Sequence, residues 1–352
     1  MSLPAPPPWR NPNALRVAAY AVVVAAGSWW LLGQLAVVLR PMLLAVFLGY
    51  VLYPWYARLR RNRVPAAVAL AVLAGAAAGL LVAVTAAAVG NLQGLTADLP
   101  AFRGRAVDLL RHSARWVNDW VPWAVPVPAD ARPPEDVAVE AAADLFRRAA
   151  NDAAGGLVEV AAAGLYLLFL LLGAERLPAR VRAAYPPDQA DRILHVAGRV
   201  NAAIIAYLRA KGQSGLILAV PVGLVLAAFG VRFAVLWAVL TFLCNFIPYA
   251  GSAAAYLLPV GFALLQFDAG GTAVAVAAVL LGMHVLSATF VEPMLLGRAV
   301  GLSPLVILAA LAGWGQLWGL PGMFLAVPLT VVAKLVLEHV GPARPLAALA
   351  ED

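Results

Sequence analysis

The side chains of this chain that can exchange protons or hold ions are few, and they stand inside or beside long apolar runs. Glu292 directly precedes Pro293 at the end of one such run, His284 lies earlier in the same run, and Glu159 is near the start of another. A charge in a hydrocarbon environment costs at least a few kcal/mol unless it is partnered or hydrated, so each of the three is a candidate for proton or cation coupling. Each also has a plainer reading. Glu292 could cap its helix or pair with Arg298, His284 could satisfy an interhelical hydrogen bond, and Glu159 could be a hydrated boundary residue. Asn245 and Gln316 are neutral but offer carbonyl and amide groups that can contact a polar solute, coordinate sodium, or satisfy broken backbone. Arg209 and Lys211 could draw an anionic substrate from the cytoplasm or anchor to anionic lipid.

Enzymatic chemistry finds no footing. There is no phosphate-binding loop, no HExxH and no GxSxG, so neither ATP-driven transport nor these hydrolytic reactions have their parts here. Cys244 is the lone cysteine and stands in an apolar run, which excludes a disulfide framework or a cysteine metal cluster within one chain. No cofactor or metal is expected. The net charge of +7 does not point to nucleic acid, because the arginines gather in loops beside apolar segments rather than on a soluble face.

The elements that must position these residues are membrane spans. Hydrophobic residues make up 63% of the chain and charged residues 12%, against about 45–50% and 25% in soluble domains. The apolar residues come in blocks long enough to cross a bilayer. The fold class is therefore all-α and polytopic, with about eight transmembrane segments, two of them Pro/Gly-broken hairpins, plus amphipathic interfacial helices. Residues 1–90 read as a three-span region: Val17–Leu39, a tight turn at Arg40–Pro41, a segment Met42–Tyr56, and a span from Val64 to Gly90. Four arginines between positions 58 and 63 place that loop in the cytoplasm. Residues 91–156 form an extracytoplasmic amphipathic helical insertion. Residues 157–211 hold a fourth span and a cytoplasmic amphipathic helix that lies along the membrane surface and feeds straight into the fifth span, Gly212–Phe229. Residues 212–341 are the C-terminal membrane region, and 342–352 a polar tail. Both termini are placed in the cytoplasm.

Within 212–341 two segments, Phe233–Phe267 and Pro304–Glu338, correspond at an offset of 71 residues, pairing Asn245 with Gln316 and Gly251 with Gly322. Each has apolar arms around a break, NFIPYAG in one and QLWGLPG in the other. Pro248, Gly251, Pro321 and Gly322 make the breaks, through the missing amide of proline and the free φ of glycine. Broken backbone at membrane depth is tolerated only where protein or a water-lined cavity surrounds it, so the breaks mark a solute or ion pathway. With an odd span between them, the two hairpins enter from opposite faces as an inverted repeat.

YLRAKGQ at 207–213, NFIPYAG at 245–251, EPMLLGRAVGLSP at 292–304 and GLPGMFLAVP at 319–328 occur in order. On these motifs the chain resembles the autoinducer-2 exporter (AI-2E) family of bacterial permeases over nearly its whole length. The resemblance implies an eight-helix type of protein in the bacterial inner membrane, a homo-oligomer (a pentamer), that moves a small polar solute or signal outward. Sodium or lithium/proton antiport is the alternative the family also carries, and a non-transporting or channel-like membrane oligomer is a third. The family motif often has Gln where this chain has Glu292.

Overall fold

A computed structural model of the chain describes residues 12–65, 68–79, 161–170, 172–173, 176–267, 271–296 and 302–339, with isolated positions at 82, 90, 144 and 159. The insertion read at 91–156 and the tail at 342–352 lie outside the described residues, apart from Asp144. In chain order the helices are α1 (Pro12–Gln34), α2 (Ala36–Arg61), α3 (Val68–Gly79), α4 (Ala161–Leu170), α5 (Leu177–Ala184), α6 (Pro187–Ala228), α7 (Ala234–Cys244), α8 (Ala250–Gln266), α9 (Gly271–Leu286), α10 (Glu292–Leu296) and α11 (Pro304–His339). Every described element is helical. Among the described residues four stretches are long and apolar enough to cross a membrane: α2, α6, α9 continued to Leu295, and α11 to Leu335; α3, α4, α7 and α8 are shorter apolar helices.

One boundary differs from the sequence reading. The break between the first two segments falls at Leu35 and not at Arg40–Pro41, and α2 runs through both residues. Pro41 lies near the start of α2, where its missing amide removes one early helical bond, and the Arg40 side chain is occupied in tertiary contacts described below. The amphipathic stretch before the fifth span runs straight into it, as the sequence reading expects. It belongs to α6, a single helix of 42 residues, because nothing between Pro187 and Ala228 removes more than the one amide at Pro221.

At the end of α6 the chain turns through Gly230 and Phe233, both with positive φ, and α7 returns along α6. Small residues permit the close approach: a methyl built on Gly223 would stand 2.8 Å from Ala238 Cβ, and one on Gly215 3.0 Å from the Phe242 ring. The first turn and the far end of α8 are tied by one side chain, since the Arg232 amide donates to Gln266 Oε1 (2.8 Å) and Gln266 Nε2 donates to the Gly230 carbonyl (2.8 Å). α7 and α8 are therefore antiparallel, joined at their other end by residues 245–249.

Three apolar clusters hold the assembly. One packs Val222, Leu226, Trp237, Phe262 and Leu280 from α6 to α9. A second joins α2, α6 and α11 around Phe47, Tyr207, Phe246 and Leu325. A third sets α2 against α3 and α4 through Ala45, Tyr56, Leu70 and Leu167.

Candidate functional site

The first break is built from strain and close approach. Cys244 ends α7, and the chain leaves helical geometry at Pro248–Tyr249–Ala250 in a three-residue turn with the Ala250 amide donating to the Pro248 carbonyl (2.7 Å). Tyr249 takes φ 60° and ψ −68° there, a γ-turn of the rarer and strained hand. Gly251 is required, because a Cβ would overlap the Cys244 carbonyl and press on Ile247. The second break has a similar contact at the glycine 71 residues on, shifted by one residue at its carbonyl partner. A Cβ on Gly322 would overlap the Trp314 carbonyl and press on Trp318, and the helical path of α11 is interrupted at Gly319 (φ 66°, ψ −143°). Residues eight apart would lie about 12 Å apart along a straight helix, so the contact of Gly322 with Trp314 means that the chain bends sharply back at Gly319.

The two breaks touch. Phe246 and Phe324 have ring centroids 4.7 Å apart, and Phe47 of α2 packs on both, at 6.1 and 5.0 Å.

Beside the first break lies a network of buried polar groups. Lys211, 4% exposed, places Nζ 3.0 Å from Glu292 Oε1. Asn245, 3% exposed, donates from Nδ2 to both the Lys211 carbonyl (3.2 Å) and Ser214 Oγ (2.9 Å), and Ser214 Oγ donates to the Lys211 carbonyl (3.2 Å). Both amide hydrogens of Asn245 are thereby used, and its Oδ1 is an acceptor. Tyr207 Oη donates to the Phe246 carbonyl (3.4 Å), satisfying backbone that the break frees.

A cavity of about 220 Å³ adjoins this network. Its polar lining is Asn245, Ser252, His284, Ser287 and Glu292; Leu218, Val285 and Ala288 give apolar wall. His284 stacks edge-on to Tyr256 (5.8 Å), and its Nδ1 lies 3.0 Å from the Leu280 carbonyl, which fixes the proton on Nδ1 and makes Nε2 of the neutral ring an acceptor. His284 Nε2, Ser287 Oγ and Thr241 Oγ1 are buried with no hydrogen-bond partner among the described residues.

A π-helical turn, Ser287–Val291, brings these groups into line, with the Glu292 amide donating to the Ser287 carbonyl. Four residues of α-helix overshoot a full turn by about 40°. Four residues of the wider π turn fall short of one. The offsets oppose, so His284, Ala288 and Glu292 all reach the cavity.

The second break carries a different set. Arg40 of α2 donates from Nη2 to the Leu317 carbonyl (3.5 Å) and places Nη1 3.8 Å from Glu159 Oε1, while Arg40 Nε is buried without a partner among the described residues. Trp318 Nε1 donates to the Leu32 carbonyl (3.1 Å).

The sequence candidates thus divide. Asn245, Glu292 and His284 meet at one cavity, and Pro248 and Gly251 lie in the break that follows Asn245. Glu292 pairs with Lys211; Arg298 lies outside the described residues. Lys211 is buried in that pair, unlike exposed Arg209, so it is not a lipid anchor. Glu159 belongs with Arg40 at the other break. Gln316 is exposed and does not mirror Asn245, because Trp314 and Trp318 hold the inner face of the helix and a residue midway between them points away. Sequence reasoning missed Ser214, Ser252, Ser287 and the π turn, since lone serines and a single inserted residue leave no periodic signal. It also read Arg40 as a turn residue, although a charge inside an apolar run was the available clue. Among the described residues no group of three or more His, Cys, Asp and Glu could hold a metal.

Comparison with known proteins agrees with this architecture. The family model "AI-2E family transporter" matches residues 19–341. The chain is 29% identical over 328 residues to the AI-2 transport protein TqsA of Escherichia coli K12, covering 90% of each chain. It is 31% identical over 351 residues to a putative transport protein of Mycobacterium tuberculosis, covering 94% of this chain and 91% of the relative. The putative permease PerM of Escherichia coli K12 is 30% identical over 178 residues, 49% of each chain. With the family model spanning nearly all of its length, this chain belongs to the AI-2E family of transporters and is a multi-pass membrane transport protein, not an enzyme.

Proposed function

We propose that the protein is a secondary transporter of the bacterial inner membrane that exports a small polar solute, and that the cavity between Asn245, Glu292 and His284 is where the solute binds. The cavity carries this reading: its volume of about 220 Å³ suits a small metabolite, and it is lined by hydroxyl, amide, imidazole and carboxylate groups, two of which have buried atoms without partners. Such atoms cost about 1–3 kcal/mol each when left unpaired, which a solute bearing hydroxyls can offset.

Two re-entrant hairpins, α7–α8 and the two limbs of α11, frame the path in this reading. The 11 residues of α7 reach only about 16 Å, short of the roughly 30 Å hydrocarbon core, and suit a segment that enters and returns. Arg58, Arg60 and Arg61 in the last turn of α2 support a cytoplasmic position for that end, and cytoplasmic termini belong to the same proposal. A homo-oligomer belongs to the same proposal and is measured by the mass of the detergent-solubilised protein.

The test is solute flux in sealed proteoliposomes, with autoinducer-2 and small polyols as probes beside a Ser287→Ala variant. Flux of one probe, with KM raised severalfold in the variant at similar Vmax, supports the site. Saturable flux with unchanged KM moves the site elsewhere. Antiport remains the second reading because Glu292 is the one carboxylate among the described residues that line the cavity. It requires sodium- or lithium-driven proton movement that disappears in Glu292→Gln, and sealed vesicles without such movement would end it.

A further inference from the structure

The two breaks are each clasped by three segments. At the first, Lys211 comes from long helix α6, its carbonyl is held by Asn245 of the break, and its acid, Glu292, follows α9. At the second, Arg40 comes from long helix α2, it holds the Leu317 carbonyl at the break, and its acid, Glu159, precedes α4. The breaks meet at Phe246, Phe324 and Phe47.

The ion pairs lie at different depths. Arg199 of α6 pairs with Glu338 of α11 at 3.7 Å, which fixes a common end for both helices. Along α6, Lys211 is about 18 Å from that end, whereas the second break is about 27 Å from it along α11. On α2, the residues between Arg40 and Arg58 carry no charge and extend about 25 Å, close to the hydrocarbon thickness, so Arg40 lies toward the face opposite the arginine group.

We propose that Arg40 and Glu159 form a second latch opposed to Lys211–Glu292, with the Phe47–Phe246–Phe324 contact coupling them, so that release of each latch opens the cavity to a different face of the membrane. The inference rests on the transporter reading with the cavity as solute site. Arg40 and Glu159 are positioning residues in it, since neither lines the cavity. The inner pair at 3.0 Å and the looser outer pair at 3.8 Å have unequal hold, and each cation also grips or supports the broken backbone beside it. Releasing either therefore frees a hairpin tip as well as a charge, and the shared aromatic contact transmits that movement to the other tip.

The lone native cysteine makes the test direct. In a Cys244→Ser background, Ser252→Cys is placed on the cavity wall of the full-length protein in liposomes. Its modification by a charged methanethiosulfonate reagent is then timed from each face. Arg40→Gln is expected to raise the rate from one face about tenfold, Glu292→Gln to raise it from the opposite face, and the exchange Arg40→Glu with Glu159→Arg to restore the original ratio. If Arg40→Gln alters neither face, or the same face as Glu292→Gln, the opposed-latch proposal is overturned. Should Arg40→Gln fail to fold, Glu159→Gln breaks the same pair and is judged by the same rule. Protection of Ser252→Cys by transported solute separately tests the site: its absence sinks the site reading, while the face dependence still decides the latch.

Discussion

The two breaks share a contact and differ in almost everything around it. Gly251 on the Cys244 carbonyl and Gly322 on the Trp314 carbonyl make similar reversals, reaching back seven residues in one and eight in the other, each with the residue four positions earlier pressed against the glycine. Yet the first break is polar and buried, with Lys211, Ser214 and Asn245 under 5% exposed, whereas the second is held by tryptophans and an Arg40 about a third exposed. The reversal is architecture required by both halves. Among the described residues the buried polar network lies at the first break, and the cavity adjoins that break.

The shared contact should fail equally on both sides. Gly251→Ala and Gly322→Ala each force a methyl into a backbone carbonyl that cannot move without unwinding its helix. Each should lose about 3 kcal/mol or more, read as a fall in thermal unfolding temperature in detergent. A mild effect at only one of the two glycines would break the correspondence between the halves.

The ion pairs should fail unequally. Removing Glu292 as alanine strands Lys211 in a site where it is 4% exposed, and breaking a buried pair in this way costs about 3–5 kcal/mol. Glu159→Ala removes the partner of Arg40 where both side chains are about a third exposed and the separation is 3.8 Å, so about 0–1 kcal/mol is expected. Comparable losses would show that the second pair is as desolvated as the first. Lys211→Met with Glu292→Leu should recover most of the stability but no transport, since the network would keep its packing and lose its charge.

Backbone strain gives effects of opposite sign. Gly319 occupies φ 66°, ψ −143°, which only glycine adopts freely, so Gly319→Ala should cost about 1–3 kcal/mol. Tyr249 holds a strained positive φ with an exposed side chain, so Tyr249→Gly should cost little or stabilise by up to about 1 kcal/mol. Denaturation midpoints of the two variants settle the sign. Loss of transport in Tyr249→Gly despite retained stability would mean that the strain itself holds the break in its working shape.

These differences mark what could be read from residue order. Blocks of apolar residues announce helices of membrane length, and Pro248, Gly251, Pro321 and Gly322 announce breaks, because each limits local backbone whatever the tertiary context. Glu292, His284 and Asn245 were also visible as polar residues in apolar runs. Their partners were not. Lys211 looked like a loop cation because its burial depends on α6 continuing from Pro187 into the span, and Glu292 lies 81 positions away in sequence. Gln316 looked equivalent to Asn245 because an offset counts residues, whereas the face a residue presents depends on where its helix has already ended. Asn245 follows the last helical residue of α7 and turns inward; Gln316 is still within α11 and points out.

The smallest test concerns the tie that replaces a polar network at the second break. Trp318 is 2% exposed, stacks on Trp314 at 5.0 Å and donates its indole hydrogen to the Leu32 carbonyl. Trp318→Phe keeps most of the apolar volume but removes that donor, leaving the carbonyl where α1 approaches its end. The expected loss is about 1 kcal/mol, a shift of a few degrees in unfolding temperature, with transport retained. Trp318→Gln would instead introduce an amide into an apolar site and should cost more. If Trp318→Phe abolished transport without destabilising the protein, the indole would be part of the pathway, and the second break would have to be counted with the first as a site rather than as its scaffold.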